Sequence, residues 1–146
     1  MMTETIPDAV ASATIPCQVD RVWKALTDPA EIKEYFFGTS VITEWGVGGP
    51  IVWRGEWHGK QYEDHGRVLE FKPPRRLRCT HFSPLTGLPD APENYHTVTY
   101  ELAEVTAGTQ VTITQGSNRS HDEVPEAEKT WQIVLGNLGE YLSRQG

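Results

Sequence analysis

Basic residues are scarce in this sequence: 13 Lys and Arg stand against 20 Asp and Glu, a formal charge of -7. Nucleic acids and anionic membranes both reward basic patches, so neither is expected as a partner. No apolar run approaches the ~20 residues that a membrane-spanning helix needs. The opening stretch, MMTETIPDAVASATIP, is acidic and lacks the basic and apolar regions of a secretory signal, so a cytoplasmic location is expected. Cysteine is almost missing. Cys17 and Cys79 are therefore read as two reduced thiols, and Asn118-Arg119-Ser120 as a loop rather than a glycosylated site.

Catalytic and metal signatures are just as thin. No serine sits in a G-x-S-x-G elbow, and neither cysteine has the sequence neighbourhood of a nucleophile. Gly46-x-Gly48-Gly49 is not followed by Lys-Ser/Thr and does not open a helix, so it reads as a hairpin turn, not a phosphate cradle. His58, Glu63, Asp64 and His65 are close in sequence, but they fall on a turn and on strand faces without metal-ligand spacing. No metal and no cofactor are expected.

What the chain does have is a long amphipathic segment at its end. Over residues 124–145, Trp131, Leu135, Leu138 and Leu142 recur at spacings of four, three and four, which predicts one face of a helix. Val134 and Tyr141 widen this stripe, and Ala127 extends it toward the start. Ser120 and Asp122 are candidate caps, Pro125 suits a first turn, and Glu123, Glu126 and Glu128 complement the helix dipole. Gly136 and Gly139 each cost roughly 1 kcal/mol relative to Ala inside a helix. The apolar face must then be stabilised by something large and concave.

The rest of the chain supplies it. Residues 9–15 alternate weakly as a first strand, and 19–36 form two short helices broken at Asp28-Pro29. Hairpin strands follow over 40–45, 51–58, 61–71, 76–82, 95–104 and 109–115, with Gly66 marking a bulge. Residues 83–94, with three prolines, are the longest irregular stretch. Loops of this length are often functional. The 146 residues read as a single domain, 1–146, of α+β class: about seven antiparallel strands and one long helix.

Aromatic residues load the inward positions, namely Trp53, Trp57, Tyr100 and Trp131, and His81 shares a strand face with Leu77 and Cys79. Core packing accounts for at least half of the aromatics. A curved sheet and one helix also leave space between them, which is the usual form of a small-molecule pocket. Its walls are expected from Trp53, Trp57, Leu69, Cys79, His81, Tyr100, Ile113, Trp131, Leu135 and Leu138, with Phe36 near the mouth.

Several segments carry a family resemblance. They are Val22-Trp23-Lys24-Ala25-Leu26-Thr27-Asp28-Pro29, Gly48-Gly49, Gly66-Arg67-Val68-Leu69-Glu70, and Pro73-Pro74-Arg75-Arg76-Leu77. Further on come Val98-Thr99-Tyr100-Glu101-Leu102, Gly108-Thr109-Gln110-Val111-Thr112-Ile113, and Trp131 with Leu135 and Leu138. In this order they resemble the START-like (SRPBCC) helix-grip superfamily, and within it the family of the activator of the 90-kDa heat-shock protein's ATPase. The resemblance implies a bent antiparallel sheet gripping the C-terminal helix around a hydrophobic cavity, with two short helices closing one end. It carries over no catalytic residue.

Three functions compete. The first is binding of a small apolar or amphipathic ligand in the cavity. The second, which the resemblance implies, is a cyclase-type enzyme acting on a polyketide-like substrate; His81, Tyr100 and Glu70 are its only acid/base candidates. The third is protein contact, with a chaperone or as a homodimer, for which the apolar Ile133 on the back of the last helix is the one hint. These residues contain no counterpart of the separate N-terminal domain by which eukaryotic activators engage the chaperone, so ligand binding is the leading expectation.

Overall fold

Alternation in the sequence becomes a seven-stranded sheet. Strand β1 (Ala9–Ile15) leads into helices α1 (Val19–Thr27) and α2 (Pro29–Tyr35). Then come β2 (Ser40–Thr43), β3 (Pro50–Trp57), β4 (Lys60–Lys72), β5 (Arg76–His81), β6 (His96–Val105), β7 (Gly108–Gly116) and helix α3 (Glu123–Gln145). The computed structural model describes residues 5–145, without the side chain of Trp57. Strand order is β1-β7-β6-β5-β4-β3-β2, with every neighbouring pair antiparallel. From β2 to β7 the sheet is a plain meander, and the first strand returns to pair with the last. The curved sheet wraps on α3, so the fold is α+β and of the helix-grip type.

Helix α3 buries Val134, Leu135, Leu138, Tyr141 and Leu142 against the sheet and the short helices. The Ser120 hydroxyl accepts the Glu123 backbone N–H at 3.3 Å, so the start of the helix follows the cap read from the sequence. Asp28 caps α2 by accepting from the Ala30 N–H at 2.9 Å, with Pro29 as the first helical residue.

One buried carboxylate ties the three helices together. Glu31 of α2 accepts from Arg21 (2.7 Å) and Lys24 (2.9 Å) of α1 and from the Tyr141 hydroxyl (2.8 Å) of α3. Burial alone would raise this carboxyl; the three hydrogen bonds outweigh it and bring it down to about 2.

Two details depart from the sequence reading. The bulge lies at Leu69, not Gly66: Val68 pairs with Cys79 and Glu70 with Arg78, leaving Leu69 as the extra residue. Gly66 serves a different need, because a Cβ there would come within 1.8 Å of the Thr80 carbonyl oxygen. The strand expected over 40–45 stops at Thr43, because Trp45 adopts φ 59° and turns inward. Its indole donates to the Thr27 carbonyl at 2.8 Å and its ring stacks on Phe71 at 5.4 Å.

The long loop after β5 contains two 3-10 turns, Pro84–Thr86 and Pro92–Asn94. It is pinned to β4 by His65, whose Nε2 lies 2.9 Å from an Asp90 carboxylate oxygen and 3.1 Å from the Tyr95 hydroxyl. Among the described residues no helix is long and apolar enough to cross a membrane.

Candidate functional site

Between the concave face of the sheet and the first half of α3 lies a cavity of about 340 Å³. Strand parity decides what reaches it. Trp53 faces Asp64 across β3 and β4, Cys79 faces Val98 across β5 and β6, and Leu77 faces Tyr100 one step deeper. Ahead of the bulge, Tyr62 and Asp64 share the inner face of β4 with Gly66 and Val68. Phe36 and Thr39 contribute from the link after α2, and Gln115 from β7. Helix α3 adds Glu123, Glu126, Ala127, Thr130 and Trp131, which lie within its first turns.

One end of the cavity is apolar and aromatic. The Trp131 ring stands edge-to-face with Phe36 at 5.7 Å and with Tyr100 at 6.0 Å. Burial pushes the Tyr100 hydroxyl well above its ordinary value and the Cys79 thiol up to about 12. Both are neutral wall groups near neutral pH.

The other end is polar. Nε2 of His81 lies 2.8 Å from Oδ2 of Asp64, and the Trp53 ring sits edge-on to His81 at 4.9 Å. The second Asp64 oxygen, Oδ1, is fully buried and has no hydrogen-bond partner among the described residues. Across β5 and β6 the rings of His81 and His96 lie nearly parallel, 6.5 Å apart. Nε2 of His96 is 2.8 Å from Oε1 of Glu123, which also accepts the Arg119 backbone N–H at 2.9 Å. Burial pushes the His96 imidazole below its usual value, more than its bond to Glu123 raises it. For Glu123 burial pushes upward, but the bonds from His96 and Arg119 prevail and hold the carboxyl low. On the β2 side, Thr39 and Tyr62 share a hydroxyl–hydroxyl bond of 2.7 Å. Tyr62 lies over Gly55, where a Cβ would come 2.5 Å from its hydroxyl.

Of the residues expected from sequence, Phe36, Trp53, Cys79, His81, Tyr100 and Trp131 line this cavity together. Ile113, Leu135 and Leu138 belong instead to the solid core, each at most 1% exposed and none lining the cavity. Leu69 is 41% exposed, because the bulge turns it off the inner face. Trp57 falls outside the described side chains. Sequence reasoning missed Tyr62 and Asp64, whose parity the bulge conceals, and it took Glu123 and Glu126 only as dipole partners. Ala127 carried a readable signal, one helical turn before Trp131 on the same stripe. His58, Glu63, Asp64 and His65 do not converge; among the described residues no three His, Cys, Asp or Glu side chains gather as metal ligands.

A curved antiparallel sheet, a gripped C-terminal helix and a cavity between them define a START-like helix-grip protein. The chain belongs to the family described as Activator of Hsp90 ATPase homolog 1-like protein, whose model matches residues 16–143. It is similar to ChR145 from Cytophaga hutchinsonii at 43% identity and a TM-score of 0.84, over 98% of both chains. It also resembles MLL2253 from Mesorhizobium loti at 22% identity and a TM-score of 0.78, over 96% of this chain and 99% of that one. DynU16, from the dynemicin biosynthetic locus, shares 23% identity and a TM-score of 0.77, over 93% of this chain and 47% of its own. The last two likenesses are of fold alone. No curated protein matches the chain.

Proposed function

We propose that the protein binds a small amphipathic molecule in the cavity between the sheet and α3. The observation that carries this reading is an interior space of about 340 Å³ that is aromatic at one end and polar at the other. Ligand pockets typically have this form, apolar walls with a few placed polar groups. Phe36, Tyr100 and Trp131 would hold the apolar body, while Asp64 and His81 would orient the head.

The test uses prodan, a neutral dye whose emission shifts in apolar surroundings. It should bind the folded protein at about one equivalent and quench tryptophan emission. Ala127→Trp, which fills the cavity from α3, should abolish binding and leave the melting temperature within a few degrees of the parent. Prodan that binds only through the unfolding transition, or binds A127W equally well, would remove the cavity reading. Protein contact through the back of α3, where Ile133 is 47% exposed, would take its place.

A second reading has one specific support. Asp64 and His81 form a hydrogen-bonded carboxylate–imidazole pair on the cavity wall, an arrangement that can accept a proton from a bound molecule. It keeps a cyclase-type activity on a polyketide-like substrate as the alternative. Single-turnover incubation with poly-β-ketone thioesters, comparing parent and His81→Gln, separates catalysis from binding: product from the parent alone supports it, and none from either rejects it.

A further inference from the structure

The geometry points to a cationic ligand for this cavity: an amine whose ammonium group seats beside Asp64 with its apolar body against Trp53 and Trp131. The inference rests on the reading of the cavity as a ligand site and adds the charge of what fills it.

Fixed charge on the lining is acidic, and the one basic side chain there, His81, is already bonded to Asp64. Asp64, Glu123 and Glu126 face the space, and neither lysine nor arginine lines it. These carboxylates are not equivalent. Glu123 is already answered by His96 and by Arg119, whose Nη2 is 3.1 Å away. Glu126 is exposed on the first turn of α3, at the rim. Asp64 is the interior one, its side chain 13% exposed. One of its oxygens takes His81, and the other is buried without a donor. That oxygen is closed off from the cavity space, so an ammonium meets it only after the carboxyl turns about its Cβ–Cγ bond. A buried acceptor left unmade carries its full desolvation cost, and an N–H of the bound ammonium would then remove that cost.

The surroundings favour the same sign. Trp53, Tyr62, Tyr100 and Trp131 border the same small volume, and a cation within ~6 Å of an aromatic centroid is attracted by the ring quadrupole. Helix α3 starts at the cavity, and a helix N-terminus by itself would favour an anion. Its first turn already holds Glu123 and Glu126, which answer the dipole from within. A carboxylate ligand would meet three carboxylates, with neither lysine nor arginine in the lining and the one basic ring, His81, already bonded to Asp64. The overall charge of -7 adds a long-range preference of the same kind.

Three naphthyl probes of nearly equal size test this by isothermal titration calorimetry: 2-naphthylmethylammonium, 2-naphthylmethanol and 2-naphthylacetate. The ammonium should bind about tenfold more tightly than the alcohol, and the carboxylate more weakly than either. Asp64→Asn should bring ammonium and alcohol within about threefold of each other, chiefly by weakening the ammonium. Equal affinities for all three on the parent, or a preference for the carboxylate, would overturn the inference while leaving the cavity reading intact. An undiminished ammonium preference in D64N would overturn the assignment to Asp64. Failure of all three probes to bind removes both readings. If D64N does not fold, the ranking on the parent decides.

Discussion

The indole N–H of Trp131 donates to Oε1 of Gln115 at 2.9 Å, fastening the first half of α3 to the end of β7. The same ring forms one wall of the cavity, so a single side chain closes the grip and shapes the site. Trp131→Ala should cost about 3 kcal/mol, the low end for large aromatic truncations, because the ring is only half-buried. Trp131→Phe keeps a ring and loses the hydrogen bond, at about 1 kcal/mol. Urea denaturation checks both; a loss under about 0.5 kcal/mol for W131A would mean that the ring does not hold the helix.

Glu31 predicts an acid limb. Its carboxyl ionises near 2 in the folded chain against 4.5 ordinarily, so between those values the unfolded chain binds more protons. The stabilisation is therefore complete above about 4.5 and lost as pH falls toward 2. Its size is about 2 kcal/mol, discounted because Arg21 and Lys24 keep part of their hydration. Comparing parent and Glu31→Gln by denaturant melts, the gap between them should be wide at pH 6 and narrow by pH 3. A gap independent of pH would show that Glu31 carries no charge-dependent role.

Gly66 tolerates no side chain. With the Thr80 carbonyl oxygen 1.8 Å from a would-be Cβ, Gly66→Ala must push β4 and β5 apart, costing about 3 kcal/mol. Gly136→Ala, where nothing lies within 4 Å of the added carbon, should instead stabilise α3 by up to ~1 kcal/mol. Thermal melts of the two variants should therefore move in opposite directions.

The two thiols should differ in reactivity. Cys79 is buried and its thiol is raised to about 12, whereas Cys17 is partly exposed. Iodoacetamide at pH 8 should label one thiol in the folded protein, mapped to Cys17, and both in denaturant. Rapid labelling of Cys79 in native protein would show that the cavity opens widely to solvent.

Much of this fold was legible because its signals are local. The apolar stripe from Trp131 to Leu142, the Asp28 cap and the alternation around Trp53 each arise within a few residues. The inner faces of β5 and β6 were legible for the same reason, and they delivered Cys79, His81 and Tyr100 to the cavity. What stayed hidden lies on β4. A single extra residue at Leu69 reverses the strand's parity, so a strand read in register with an inward Leu69 places Tyr62 and Asp64 on the outer face. The bulge has no residue signature of its own, and the glycine that seemed to mark it answers a neighbouring backbone instead. The pairs Asp64–His81 and His96–Glu123 were hidden for another reason. Each joins different elements: the sheet register brings the first pair together, and the seating of α3 on the sheet the second.

The return of β1 to the far edge of the meander also bears on how the chain assembles. Each turn from β2 to β7 joins neighbours in sequence, but pairing Ile15 with Thr109 closes a loop of roughly a hundred residues. By loop-closure entropy that costs about 3 kcal/mol more than closing a four-residue hairpin. The corner is correspondingly tight: a Cβ on Gly108 would sit 2.2 Å from the Ile15 carbonyl oxygen, and the Thr109 hydroxyl donates to the Cys17 carbonyl at 2.8 Å. Chain entropy thus favours a meander that assembles early and a first strand that docks late, with α3 seating over the completed seam. Synthesis order and assembly order are then opposed, because the strand made first is the one that must wait for its partner.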